Sequence, residues 1–226
     1  MPVKQPKKVA KQETEVAGPP AQSPRTLWYV LLIIVAVLVL AASTFLAWQR
    51  PVMGWEQRIF SYINNLPESL KMTAVILTHI GSTWMAVGVV AIAFIAKMYW
   101  LTWRLAFSIL AGYSVVLVLK TGLERPRPEF LYPNSDVHLR VSETLAGFPS
   151  GHSMVITVVA LTLLPFLPKV WRWIIAGLFI GLIGLSRIYL GVHAPLDIAG
   201  GIAIGAIVVC VIRLMPQKIR RFFRLG

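Results

Sequence analysis

Long stretches without Asp, Glu, Lys or Arg alternate with short polar segments along this chain. Residues 27–48 read LWYVLLIIVAVLVLAASTFLAW, and residues 72–96 read MTAVILTHIGSTWMAVGVVAIAFIA. Each exceeds the roughly 20 residues that a helix needs to cross a bilayer. Only a helix or a closed barrel keeps every backbone polar group satisfied in hydrocarbon, and unbroken apolar runs of this length select the helix. The pattern predicts six spans, at about 27–48, 72–96, 99–119, 151–167, 171–190 and 195–214. Trp100 and Trp103 flank the third, and Trp171 and Trp173 the fifth, as interfacial anchors. The expected fold is therefore all-α, a polytopic membrane protein of six transmembrane helices. Three segments follow from it: a polar tail over 1–26, a membrane domain over 27–214 and a basic tail over 215–226.

Composition agrees with this pattern. Of the 226 residues, 57% are hydrophobic and only 14% charged, against about 25% charged in soluble domains. The N-terminal tail, rich in Lys, Pro, Gln and Glu, buries too little to fold and is expected to be disordered. The apolar run after it is longer than the 7–15 residues of a signal-peptide core, so it reads as a retained span. The single cysteine, Cys210, gives no support to a disulfide framework or a thiolate metal cluster.

The net charge of +13 raises the question of nucleic acid, and its distribution answers it. Of the 22 Lys and Arg, the two tails, the links at 97–104 and 168–172 and Arg213 at the end of the last span hold 14, and the opposite face holds 8. An excess of basic residues marks the cytoplasmic side, so both termini are expected there. The basic C-terminal end then meets anionic lipid, and no nucleic-acid partner is needed. The opposite, extracytoplasmic side carries loops over about 49–71 and 120–150, where the chain's polar chemistry concentrates.

Three clusters fall at that side. KTGLERPRP holds Lys120 and, seven residues on, Arg127 before Pro128. Taken alone, a lysine at a span end is usually a snorkelling residue. FPSGH offers Ser150 as a helix N-cap and Gly151 for close backbone approach, followed by His152. Free N–H groups at a helix start suit an anion, although the same residues also make an ordinary helix start. SRIYLGVHAPLD brings Ser186 and Arg187 near the end of the fifth span, Gly191 as a helix stop, and His193 four residues before Asp197. Four apart on a helix puts two side chains on one face. The carboxylate can then take a hydrogen bond from one imidazole nitrogen and leave the other as base or nucleophile.

All three clusters lie at the ends of predicted spans that share one side of the membrane. Lys120, Arg127 and Arg187 are cations, and Ser150 and Gly151 supply donors, a set that suits a tetrahedral dianion such as phosphate. With two histidines, one of them paired to a carboxylate, the inventory is that of phosphoryl transfer. The neighbouring Lys and Arg repel cations, so no metal and no other cofactor is expected.

These residues resemble the three-part signature of the type 2 phosphatidic acid phosphatase superfamily: Lys120 with Arg127-Pro128, then Pro149-Ser150-Gly151-His152, then Ser186-Arg187 with His193 and Asp197. The resemblance implies a lipid phosphatase. His193 would be the nucleophile that forms a phosphohistidine, oriented by Asp197, and His152 the general acid and then the base. Lys120, Arg127, Ser150, Gly151 and Arg187 would hold the phosphoryl oxygens. Arg125 and Ser186 lie adjacent and carry less weight. His79 reads as a packed residue buried in a span, and His138 and Arg140 as solvated loop residues.

The expected activity is removal of a terminal phosphate from undecaprenyl diphosphate, phosphatidylglycerophosphate or phosphatidic acid. The enzyme would sit in a bacterial cytoplasmic membrane with its site facing outward. A phosphotransferase that passes the group to another lipid would use the same residues. A transporter would carry charges near the bilayer midplane rather than at span ends, and a haloperoxidase would require a soluble chain.

Overall fold

A computed structural model of the chain describes residues 24–49, 53–132, 138–139 and 146–215. The expected disorder of the N-terminal tail, Arg140 and nearly all of the basic C-terminal tail lie outside the described residues. Among those described, the chain is helical: α1 (Pro24–Trp48), α2 (Gly54–Asn64), α3 (Lys71–Ile80), α4 (Thr83–Ile95), α5 (Tyr99–Leu123), α6 (Pro128–Leu131), α7 (Gly151–Leu163), α8 (Arg172–Tyr189) and α9 (Pro195–Leu214). Single 3-10 turns precede α3 and follow α7.

Four of these helices are long and apolar enough to cross a membrane: α1, α5, α8 and α9. Two expected spans look different in the structure. The stretch 72–96 is broken at Gly81–Ser82, and its halves are bent by 46°. The break has a local cause. Ser82 is an N-cap whose hydroxyl accepts from the Met85 N–H at 3.2 Å, so a new helix starts there. Gly81 sits against α8, where a Cβ would lie 2.5 Å from an Ile183 methyl carbon. Counted as one broken span, the pair raises the number of candidates to five. The other exception is α7 with its 3-10 turn, Gly151–Phe166, which is apolar but shorter than the four long helices.

The short helix is the centre of the bundle. Residues Ser153–Val159 of α7 are all buried, and α5, α8 and α9 pack around them while α1 lies along α9. The core joins Leu101 and Leu105 of α5, Met154, Val155 and Val158 of α7, and Ile204 of α9. Outward-facing Leu31, Val35 and Leu38 of α1 and Leu110, Leu117 and Val118 of α5 remain exposed. That inversion, apolar outside as well as inside, is what lipid as solvent demands.

Contact between α7 and α9 depends on missing side chains. A Cβ on Gly201 would lie 2.3 Å from the Ser150 carbonyl oxygen, and one on Gly205 would lie 2.7 Å from the Met154 carbonyl oxygen. One on Gly200 would meet the Phe148 ring at 2.7 Å. Hydrophobic driving force between helices vanishes in lipid, and small residues that admit direct backbone packing replace it. Gly201→Ala is expected to destabilise by about 1–3 kcal/mol, because the clashing atom is backbone that cannot rotate away. Gly177→Ala on α8, where nothing lies within 4 Å, is expected to be neutral or stabilising by up to about 1 kcal/mol. Thermal unfolding of the two variants in detergent checks the contrast.

Candidate active site

The hairpin between α8 and α9 builds the first half of the site. Gly191 adopts φ 74°, a left-handed conformation that costs a residue with a Cβ about 1–2 kcal/mol. Around it the Gly191 N–H donates to the Ile188 carbonyl at 3.0 Å and the Val192 N–H to the Arg187 carbonyl at 3.2 Å. This paired arrangement is a Schellman motif. It ends α8 two residues after Arg187 and delivers His193 to the mouth of α9.

Pro195 then opens α9 at its first helical position, where a missing N–H costs nothing. Asp197 reaches back so that its Oδ2 accepts from the Ala194 N–H at 2.8 Å, the return half of a capping box. The same oxygen lies 3.4 Å from His193 Nδ1. Nδ1–H therefore donates to the carboxylate, and Nε2 keeps its lone pair. Both side chains are buried, Asp197 at 0% and His193 at 3% exposure. Burial pushes the His193 imidazole down to about 4, against the opposing pull of Asp197. The ring is thus neutral at neutral pH, the state a nucleophile or base requires.

The other clusters converge on this pair. The Ser150 N–H donates to the Asp197 carbonyl at 2.9 Å, tying the start of α7 to the first turn of α9. Ser150 is the N-cap of α7, its hydroxyl accepting from the Ser153 N–H at 3.4 Å. Gly151 packs against Tyr113, where a Cβ would lie 3.3 Å from the ring. His152 follows on the first turn of α7, half-buried, and feels the charges of Arg187 and Arg127. Arg127 donates to the Val192 carbonyl at 3.2 Å, and burial lowers its pKa. Lys120, at the end of α5, donates to the Ala146 carbonyl.

Arg187 is buried, with Nη1 donating to the Thr78 hydroxyl at 2.7 Å. Its Nε is buried without a hydrogen-bond partner among the described residues. A buried donor left unmade costs about 1–3 kcal/mol or more when charged, so this atom is ready for an acceptor. Lys120, Arg125, Arg127 and Arg187 outnumber the buried carboxylates Asp197 and Glu56, and the exposed Glu129 acts on Arg127 from outside. The positive balance suits a phosphate dianion.

Three residues escaped the sequence reading or received too little weight. Arg125 donates to Asp197 Oδ1 at 2.7 Å and to Glu56 Oε2 at 2.6 Å. Glu56 lies on α2, more than sixty residues before the first predicted cluster, and nothing in its own segment announces it except the spacing of buried Glu56, Phe60 and Asn64. Thr78, hidden in an apolar run, supports Arg187. Two expectations need correction. His79 is exposed in the last turn of α3 rather than buried in a span, because the helix ends there. His138 stacks on Tyr189, with ring centroids 4.8 Å apart, and its Nε2 lies 3.2 Å from the Asn64 carbonyl oxygen. It is a packed residue rather than a solvated one. Ser186 only returns its hydroxyl to the Ile183 carbonyl at 2.8 Å.

A helical bundle faced with lipid-compatible side chains, holding a His–Asp pair beneath clustered cations, is an integral membrane protein of a recognisable class. The chain belongs to the PAP2 superfamily, whose family model matches residues 101–221. It is 37% identical over 159 residues to phosphatidylglycerophosphatase B of Bacillus subtilis, covering 65% of this chain and 75% of that one. With undecaprenyl-diphosphatase of Sulfolobus acidocaldarius it shares 28% identity over 184 residues, or 79% of this chain and 87% of the relative. Among solved structures, the transmembrane PAP2-type phosphatidylglycerolphosphate phosphatase from Bacillus subtilis superposes with a TM-score of 0.64 at 28% identity, covering 86% of this chain and 98% of that one. Aquifex aeolicus LpxE gives 0.61 at 29% identity over 70% and 93%.

Replacing Gly191 with Ala forces a Cβ into the left-handed region. It is expected to lower stability by about 1–2 kcal/mol, read as a drop in melting temperature relative to the unsubstituted protein.

Proposed function

We propose that this protein is a multi-pass membrane phosphatase that removes the terminal phosphate from a lipid. The observation that carries the reading is the buried His193 hydrogen-bonded to Asp197 beside Lys120, Arg127 and Arg187. In the proposed reaction, His193 Nε2 attacks phosphorus while Nδ1–H donates to Asp197. The bond from phosphorus to the lipid oxygen breaks, and His152, which enters the cycle protonated once the phosphate dianion is bound, gives its proton to that oxygen. His152 then takes a proton from water, whose oxygen attacks the phosphohistidine. The N–P bond breaks, inorganic phosphate leaves, and His193 is restored.

Lys120, Arg127, Arg187 and the donors at Ser150 and Gly151 hold the phosphoryl oxygens, with the unpartnered Arg187 Nε as one donor. Such preorganised charge is commonly the largest single contribution to this chemistry. The substrates favoured are phosphatidylglycerophosphate and undecaprenyl diphosphate, which two relatives carry in their names.

Counting the bent α3–α4 pair as one crossing and Gly151–Phe166 as another gives six spans over residues 27–214. Both tails, 1–26 and 215–226, then lie on the side that carries 14 of the 22 Lys and Arg, which is the cytoplasmic side. The site opens outward. A helix as short as α7 can serve because its neighbours, not lipid, surround it.

Purified protein in detergent is expected to release phosphate from one or more of a panel of phosphatidylglycerophosphate, undecaprenyl diphosphate and phosphatidic acid. Chelator should leave the rate unchanged. His193→Ala should lose activity by at least about a thousandfold, the scale of removing a nucleophile. Full activity in that variant would overturn the mechanism.

A further inference from the structure

We infer that Glu56 and Arg125 are positioning residues for His193, the outer members of a buried chain that runs Glu56–Arg125–Asp197–His193. This inference rests on the reading of His193 as the nucleophile. Two links are short, 2.6 Å from Arg125 Nη2 to Glu56 Oε2 and 2.7 Å from Nη1 to Asp197 Oδ1, and the third is longer, 3.4 Å from Asp197 Oδ2 to His193 Nδ1. All four side chains are buried, Glu56 at 1% and Arg125 at 4% exposure.

The guanidinium fork has a definite consequence for Asp197. By occupying Oδ1 it turns Oδ2, and only Oδ2, toward His193 and the Ala194 N–H. The carboxylate has no rotational choice left, and the imidazole it orients has none either. Glu56 completes the clamp at both ends. Its Oε2 holds Arg125, while its Oε1 accepts from the Leu196 N–H at 3.1 Å. One carboxylate therefore fixes the guanidinium and the first turn of the helix that carries Asp197.

Charge explains why an acid stands behind the arginine. Arg125 by itself would neutralise Asp197 and weaken its hold on a positive imidazole. With Glu56 the three groups sum to one negative charge, the amount a cationic phosphohistidine needs. Burial pulls the Arg125 pKa down, but Asp197 and Glu56 more than reverse this and hold the guanidinium above its ordinary value. Phe60 and Tyr132, with ring centroids 4.6 Å apart and both buried, shield the chain. In such a dry setting each electrostatic link counts for more than it would in water.

A purely structural tie between α2 and α9 would not require ions. Apolar packing of similar volume does that work as well or better than a buried ionic triad. Ions placed on the residue that orients the nucleophile point instead to catalysis. Glu56 also lies outside the family match at 101–221, so this part of the machinery is supplied by the N-terminal region.

The test uses the full chain in detergent, with phosphate release from the preferred lipid and competition by inorganic phosphate as readouts. Glu56→Gln keeps the shape and removes the charge. It is expected to lower kcat by about tenfold or more, the scale for losing an outer partner of a functional histidine. KM and the inhibition constant for inorganic phosphate should stay within about twofold of the unsubstituted values, since the phosphate-holding cations are untouched. Glu56→Asp should recover part of the loss. Because removing one member of a buried triad can unfold a protein, the paired variant Glu56→Leu/Arg125→Met is measured beside it. It should fold and remain at least about tenfold slow. A folded Glu56→Gln or paired variant with kcat within twofold of the unsubstituted protein overturns the inference. So does loss of folding in both, which would make the pair structural only. His193→Ala, run in parallel, reports separately on the nucleophile itself.

Discussion

A carboxylate with no access to water sits at the first turn of α9, and the site is arranged around the need to keep it ionised. Asp197 is matched on every side: Arg125 on one oxygen, the Ala194 N–H and His193 on the other. Such groups are tolerable in a protein interior only when fully paired. Each partner arrives from a different part of the chain. Arg125 comes from the link after α5, where Glu124 turns the backbone in a left-handed C-cap. Ala194 and His193 come from the Gly191 hairpin, and Glu56 comes from α2 to balance the arginine. Meeting the needs of one acid therefore assembles elements separated by up to 141 positions in the chain.

The cations proposed to hold phosphate are arranged differently. Lys120 donates to the Ala146 carbonyl, Arg127 to that of Val192 and Arg187 to the Thr78 hydroxyl. Neutral partners hold a side chain in position without cancelling its charge. The distinction separates the two halves of the site. Arg125 is held between two carboxylates, whereas Lys120 and Arg187 are held by neutral oxygens.

Much of this was legible from residue order because membrane helices announce themselves. The runs at 27–48, 171–190 and 195–214 became α1, α8 and α9 nearly to the residue, since hydrocarbon forbids other solutions. The His193–Asp197 pair was readable from its four-residue spacing, although His193 precedes the Ala194 N-cap and the contact is made by Asp197 turning back at the start of α9. Readings failed where local chemistry interrupted the apolar pattern. Ser82 capped a helix inside an apparently continuous span, and His79, placed just before that break, came to the surface. Glu56 was beyond reach for another reason. Its significance lies in a contact across 69 residues with Arg125, and nothing in a single sequence signals which distant charges will meet.

The glycines of α9 set a limit on how this site can vary. Where Gly201 meets the Ser150 carbonyl and Gly205 meets that of Met154, the spacing between the helix bearing His152 and the helix bearing Asp197 is fixed by main-chain radii. No choice of side chain acts as a spacer there, so the gap behaves as a gauge that substitution can spoil but not tune. The separation of the two helices is held constant by atoms common to every amino acid.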